Sequence, residues 1–275
     1  PRRGDRSWRP SASGVQEPVV IERILAPNPG LYTGTGTNTY LLRSAGEVLI
    51  VDPGPVIEEH AFAIRSAIGG DRAVGVVVTH THPDHAPLAN PLARLLGVPA
   101  MGFGPGPEFT PDVLVGDGGT IAYGTEDVTA IHTPGHTPDH LCFRHGAVLL
   151  TGDHIIEGST VVIDDATDYL ESLYRVSELD VSRIEPGHGN AIDDAGAAIT
   201  SYIDHRLNRE RQLIEAIRAG TATVGDLVDS VYEGIPDGLR DAAAHQVRVQ
   251  LTKLSRDGAV WFVDDRTELA RVRLR

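Results

Sequence analysis

The chain is poor in several residue types, and each scarcity closes off a class of protein. Only one of its 275 residues is cysteine, so no disulfide can form within the chain and a disulfide-stapled scaffold is excluded. That residue sits in the apolar string Leu141-Cys142-Phe143, where a buried, unreactive thiol is expected. No apolar run reaches the ~18 residues a membrane-spanning helix needs. Lys253 is the sole lysine beside 23 arginines, a coding bias that says little about function. Positive charge is scarce where broad nucleic-acid binding would require it. Residues 10–204 carry 26 acidic against 8 basic side chains, and residues 205–275 carry 11 against 12. Any polyanion contact therefore has to be local. The first ten residues hold four arginines, one aspartate and no apolar core, so residues 1–17 read as a disordered basic tail rather than a signal peptide. A cytoplasmic protein is the expectation. With 41% hydrophobic residues, the chain can close one large domain and a small one.

What is abundant is histidine in one place. The apolar run Val74-Gly75-Val76-Val77-Val78 leads into His80-Thr81-His82-Pro83-Asp84-His85, three imidazoles and a carboxylate in one short loop. Leaving a strand through a tight turn, such a loop can direct His80 and His82 to one side and Asp84 and His85 to the other, enough to begin two metal sites. Further ligands are expected at the ends of later strands. His136 lies in Thr133-Pro134-Gly135-His136, Asp153 in Thr151-Gly152-Asp153, and His188 in Pro186-Gly187-His188-Gly189, each after an extended run and beside a turn glycine.

In this order the seven residues resemble the metallo-β-lactamase superfamily, over roughly residues 18–204. The resemblance implies an αββα sandwich (an α/β, α+β fold). His80, His82 and His136 would hold one metal and Asp84, His85 and His188 a second, with Asp153 bridging; Asp84 and Asp153 are the candidate catalytic carboxylates. It also implies a binuclear metal-dependent hydrolase in which a metal-bridging hydroxide is the nucleophile. The imidazole-rich set favours two Zn2+ ions, while the carboxylates also admit Mn or Fe. Asp52, in Val51-Asp52-Pro53-Gly54, matches the acidic residue with which family members orient a ligand imidazole.

Hydrophobic spacing predicts antiparallel strands at 19–25, 39–43 and 47–51, a helix at 58–68, a strand at 74–78, a helix at 91–96 and a strand at 98–101. A Gly/Pro-rich loop at 103–119 either borders the metal cleft or serves as a rigid surface connector. A further helix is expected at 169–179. From His205 onward, helices at 210–219, 224–232 and 239–256, then strands at 259–263 and 269–274, give the order of a winged helix. The long third helix offers only Arg240, Arg248, Lys253 and Arg256 as cations, which favours a cap or protein contact over a nucleic-acid reader. Arg271, Arg273 and Arg275 keep the basic alternative open.

The appended winged helix, Thr-Asn-Thr-Tyr-Leu at 37–41 and Thr-Pro-Gly-His-Thr-Pro-Asp-His at 133–140 are similar to the β-lactamase-like protein 2 subgroup, which includes an endoribonuclease cutting single-stranded RNA. Two departures stand out. Ala86-Pro87 replaces the small pair that often follows the first motif and would alter access to the site; His154 follows Gly-Asp where relatives carry another residue. His140 and His154 are the candidates for substrate contact. His60, His132, His145, His205 and His245 read as structural or surface residues. The resulting expectation is an endoribonuclease-like phosphodiesterase on single-stranded RNA. The alternatives are a glyoxalase II-like hydrolase of a small thioester or lactone, since glyoxalase II shares the ligand spacing, and a winged-helix nucleic-acid-binding regulator. No membrane partner is expected, and oligomeric state is not legible.

Overall fold

The computed structural model describes residues 20–158 and 160–275, so the expected basic tail over 1–17 lies outside the described residues. Three antiparallel strands open the fold, β1 (Val20–Leu25), β2 (Asn38–Ser44) and β3 (Glu47–Val51). The β2–β3 hairpin turns on Ala45 and Gly46, both at positive φ (47° and 76°). A two-residue hairpin demands this handedness, because it matches the twist of the strands. Helix α1 (Glu58–Ile68) crosses to β4 (Arg72–Val77), and α2 (Ala89–Leu96) crosses to β5 (Ala100–Gly102) and the short β6 (Val113–Leu114). These form one six-stranded sheet in sequence order.

The second sheet has the order β11-β10-β9-β8-β7 and comprises β7 (Thr120–Tyr123), β8 (Glu126–His132), β9 (Leu141–His145), β10 (Val148–Gly152) and β11 (Arg183–Pro186). Helix α3 (Ala166–Ser177) makes the crossover between the parallel β10 and β11.

Strand β3 shows how the sequence builds four layers. Leu49 and Val51 join the core between the sheets, while Val48 and Ile50 point the other way into the cluster under α1 and α2. A continuous apolar run, whose successive side chains point to opposite faces, is what a strand buried on both faces requires. Facing Leu49 and Val51 across the sandwich are Val128, Ala130, Leu141, Phe143 and Leu150 of the second sheet. Burying each large apolar side chain contributes about 1.5–3 kcal/mol, so this interface is the main glue of the domain. The outer face of the second sheet is covered by α3 and the first turns of α4 (Ala195–Arg218). The αββα expectation therefore holds.

Helix α4 is 24 residues long and runs unbroken through the expected division at 204/205. Its early residues Ala195 and Ile199 pack on the sandwich; its late residues Leu213 and Ile217 enter a separate core with α5 (Val224–Val231), α6 (Arg240–Arg256), β12 (Val260–Phe262) and β13 (Val272–Leu274). Three helices and a two-stranded wing follow in the expected order. The small domain docks on the segment just before α3. Gln246 Nε2 donates to the Ile163 carbonyl (2.9 Å), Arg206 Nη2 to the Val161 carbonyl (2.6 Å), and Arg256 pairs with Asp165 (2.7 Å). Among the described residues no helix is long and apolar enough to cross a membrane.

The 103–119 loop does not line the cleft. The Phe103 ring stacks on His132 (4.3 Å between centroids), and a Cβ on Gly106 would lie 2.3 Å from Thr81 Oγ1, so the loop is clamped beside the motif strand. Ala86 and Pro87 are also buried, Ala86 in the core beneath α1 and α2. They stiffen the back of the motif loop and take no part in access to the site.

Candidate metal centre

The strands β4, β8, β10 and β11 all end at one edge of the sandwich, which gathers residues 80–85, 136, 153 and 188 in one place. Two backbone contacts lace the sheets together there: Leu141 N–H donates to the Thr79 carbonyl (2.7 Å) and Asn38 N–H to the Gly187 carbonyl (2.8 Å).

Four of the five imidazoles, all but His82, are aimed by a bond from the outer nitrogen. Asp52 sits just past β3 at a φ of 49°, and its carboxylate accepts from Thr79 N–H (2.6 Å), Thr79 Oγ1 (2.7 Å) and His85 Nδ1 (2.9 Å). His85 Nε2 is thereby directed at Asp84 Oδ2 (3.3 Å) and Asp153 Oδ1 (3.4 Å). His188 Nδ1 donates to the Gly36 carbonyl (3.1 Å), which leaves its Nε2 at 3.1 Å from Asp84 Oδ2 and 3.2 Å from Asp153 Oδ1. His136 Nδ1 donates to the Val162 carbonyl (2.6 Å), and its Nε2 faces His82 Nδ1 at 3.1 Å. His80 Nδ1 lies 3.0 Å from Thr79 Oγ1. Such outer partners fix both tautomer and ring direction.

Two donor sets result. His80, His82, His136 and Asp153 converge within 4.8 Å of one another, and so do Asp84, His85 and His188. Asp153 spans them: its Oδ1 lies by His85 and His188, and its Oδ2 is 3.6 Å from His136 Nε2. The donors fit two cations. His80 Nε2, His85 Nε2 and Asp153 Oδ1 are buried without a hydrogen-bond partner, a cost that a cation removes. The 3.1 Å between His82 Nδ1 and His136 Nε2 is also close to the ~3.3 Å expected for two imidazoles on one tetrahedral zinc at ~2.05 Å.

Charge is arranged to suit. Burial, aided by neighbouring imidazoles, holds His80 well below the ordinary histidine value and lowers His82, so both stay neutral and able to ligate. Burial alone would raise the two carboxylates, yet the His85 and His188 imidazoles keep Asp84 and Asp153 well below the usual range. In return, against the effect of burial, Asp84 and Asp153 raise His188 to about 9, and these two with Asp52 raise His85 well above its ordinary value.

The structure brings together all seven residues marked by the motif order, with Asp52 behind them. It does not bring His140 or His154 to the cleft. Both are fully buried. His140 Nδ1 bonds Thr133 Oγ1 (2.9 Å) behind His80, and His154 turns into the core under the Tyr169 ring. A substrate in the cleft cannot reach either. His205 and His245, expected to be structural or surface residues, instead line the cleft. Helix α4 and the docked α6 carry them there. Thr37 was not singled out as a site residue; its Oγ1 donates to Asp84 Oδ2 (3.2 Å).

The cleft over the centre has a volume of about 800 Å³. Its floor is His82, Asp84, His136, Asp153 and His188; Leu31 and Tyr32 stand at one side; Tyr232, Ile235, Leu239, Ala242 and Ala243 of the C-terminal domain form the roof.

A family model described as metallo-beta-lactamase superfamily matches residues 32–188, and one described as beta-lactamase associated winged helix domain matches residues 223–267. A beta-lactamase-like protein 2 homolog from Caenorhabditis elegans is 33% identical over 253 residues, covering 88% of this chain and 86% of that protein. An atrochrysone carboxyl ACP thioesterase from Aspergillus novofumigatus is 34% identical over 264 residues, covering 89% of this chain and 81% of its own. The crystal structure of a metallo-beta-lactamase family protein from Thermus thermophilus superposes with a TM-score of 0.74 at 20% identity, covering 94% of this chain and 98% of the other.

Proposed function

The chain belongs to the metallo-β-lactamase superfamily and is a hydrolase of that family, and from this premise we propose that it is a binuclear zinc thioesterase acting on small acyl thioesters. The observation that carries the reading is the roof. Apolar side chains of the C-terminal domain and the donor cluster line one partly open cleft of about 800 Å³, the size of a small-molecule site. A thioesterase among the relatives supports it. So does the third helix of the small domain, whose cations are already engaged: Arg240 with Asp229 and Glu268, Arg248 with Asp264, Lys253 with Glu210 and Asp257, and Arg256 with Asp165. A helix neutralised in this way offers little to a phosphate backbone, so the ribonuclease-like expectation finds no support there.

His80, His82 and His136 would hold one cation, Asp84, His85 and His188 the other, and Asp153 both. Five imidazoles to two carboxylates is a donor set suited to zinc. Bound there, the cation pair supplies Lewis acidity and activates water near neutral pH. The chain's own residues do the rest. Asp84 and Asp153, held well below the usual carboxylate range beside His85 and His188, offer anionic donors. Ile156, Val161 and Val162, with the apolar roof, hold the acyl group and exclude bulk water, which strengthens every electrostatic contact at the floor. Water adds to the thioester carbon, the C–S bond breaks, and an acid and a thiol leave.

The test is to offer zinc-loaded protein an acyl-thioester panel and, in parallel, labelled single-stranded RNA, with Asp84→Ala as the contamination control. Thioester consumed by wild type alone supports the reading. RNA cut while every thioester survives overturns it.

A further inference from the structure

Two arginines on α4 are packed into the cleft wall without a partner of opposite sign. Arg206 is only 5% exposed and is the one buried lysine or arginine among the described residues. Its guanidinium lies 4.8 Å over the Tyr169 ring, Nη2 donates to the Val161 carbonyl and Nη1 reaches Gln246 Oε1 (3.4 Å), while Nε has no acceptor. Arg209, one helical turn on, lies 4.1 Å over the Tyr232 ring, donates through Nη1 to the Val231 carbonyl (2.6 Å) and Gln212 Oε1 (3.0 Å), and also leaves Nε without an acceptor. Among the described residues neither forms an ion pair. Both line the cleft, beside His205 and His245. Asp164, the one carboxylate of the lining outside the donor cluster, is taken up by His245 (3.4 Å).

Burying a guanidinium without a counter-ion is costly unless an anion arrives. Here two are held in place by aromatic faces and backbone carbonyls, so their orientation is set before any ligand binds. The position is also specific. The Val162 carbonyl holds His136 and the preceding carbonyl, Val161, holds Arg206, so the arginine wall begins one residue from the donor cluster. In a domain so acidic, this wall is where negative charge on a ligand is welcome.

We propose that Arg206 and Arg209 form an oxyanion subsite, which takes a phosphate or carboxylate group carried by the thioester substrate while its carbonyl lies over the donor cluster. The proposal rests on the thioesterase reading and narrows it to anionic thioesters. The oxyanion can sit on either half of the substrate, and two matched pairs separate the sources. Glutaryl against pentanoyl N-acetylcysteamine places a carboxylate on the acyl half; pentanoyl phosphopantetheine against pentanoyl pantetheine places a phosphate on the thiol half. Wild type is expected to favour the anionic member of one pair by about tenfold or more in kcat/KM, the worth of a charge-assisted pair of hydrogen bonds. Arg209→Gln and Arg206→Gln should each bring that ratio towards one. Because the readout is a ratio within one protein, general damage from the more buried Arg206 does not imitate the result. A ratio near one in both pairs for wild type, or a preference that survives in both variants, overturns the subsite. Should no thioester be hydrolysed, the thioesterase reading fails by itself and the subsite is read by calorimetry with inorganic phosphate and glutarate. A Kd that rises about tenfold for one of them in Arg209→Gln sustains it, and a Kd unchanged for both overturns it.

Discussion

Asp52→Asn is the sharpest probe of how the centre is held. The carboxylate accepts three hydrogen bonds, two from Thr79 and one from His85 Nδ1, and all are buried. Asparagine keeps the shape and, through Oδ1, the bond from Thr79 N–H. Its amide, however, now faces His85 Nδ1 with a donor. The imidazole must then move its proton to Nε2, the nitrogen that points at Asp84 and Asp153. A protonated Nε2 cannot ligate. Loss of such an outer partner costs about 10–100-fold in metal affinity, or roughly 1.4–2.7 kcal/mol. The loss should be larger at the cation assigned to Asp84, His85 and His188, since the other set feels Asp52 only at His80, through the Thr79 hydroxyl, while His136 keeps the Val162 carbonyl. Chelator-competition titration of wild type and Asp52→Asn, with metal content measured after dialysis, resolves the two sites, and thermal melting of the metal-free proteins checks that the fold survives the isosteric change. Two cations retained with wild-type affinity would refute the claim that Asp52 acts by fixing the His85 tautomer.

Other substitutions test other parts of the argument. Asp84→Ala and His136→Ala, one from each donor set, should each cut hydrolysis at least about 100-fold through loss of metal, with circular dichroism unchanged; full turnover in either variant would sink the assignment of the centre. Burial pushes the Cys142 thiol up to about 12, so thiolate is scarce until the pH approaches that value. A thiol reagent at pH 8 should therefore leave native protein unlabelled and modify one group once guanidinium unfolds it. Gly135 stands at a φ of 124° with Tyr169 backbone 2.3 Å from where a Cβ would be. Gly135→Ala should destabilise by about 2–4 kcal/mol in denaturant melts, because overpacking and a left-handed backbone act together, and an unshifted midpoint would contradict the packing of α3 on that turn.

Much of the layered fold was readable because its signals are local. The unbroken apolar run of β3, helical spacing in α1 and the turn glycines leave their mark within a few residues. The donor order was readable for a related reason: each ligand stands just beyond a strand, so chain order and the edge of the sheets coincide. Neighbourhood along the chain misleads where a turn intervenes. His154 follows Asp153, but the turn closed by its N–H on the Thr151 carbonyl (2.8 Å) sends the two side chains to opposite sides, one to the metal centre and one to the core.

By itself, then, the sequence determined the order of strands and helices, the small helical domain after them and, through the motif order and the family resemblance it carries, the seven candidate donors with Asp52. Tertiary structure alone decided the cleft. Leu31, Tyr232 and Leu239 line it, with Arg206, Arg209, His205 and His245 its basic side chains, because one long helix passes from the sandwich into the small domain, binding the Val161 carbonyl on the way, and α6 docks on the Ile163 carbonyl. Those residues have no common spacing in the chain. What joins them is the docking of two separate cores, and a contact between surfaces so far apart in sequence leaves no local pattern to read.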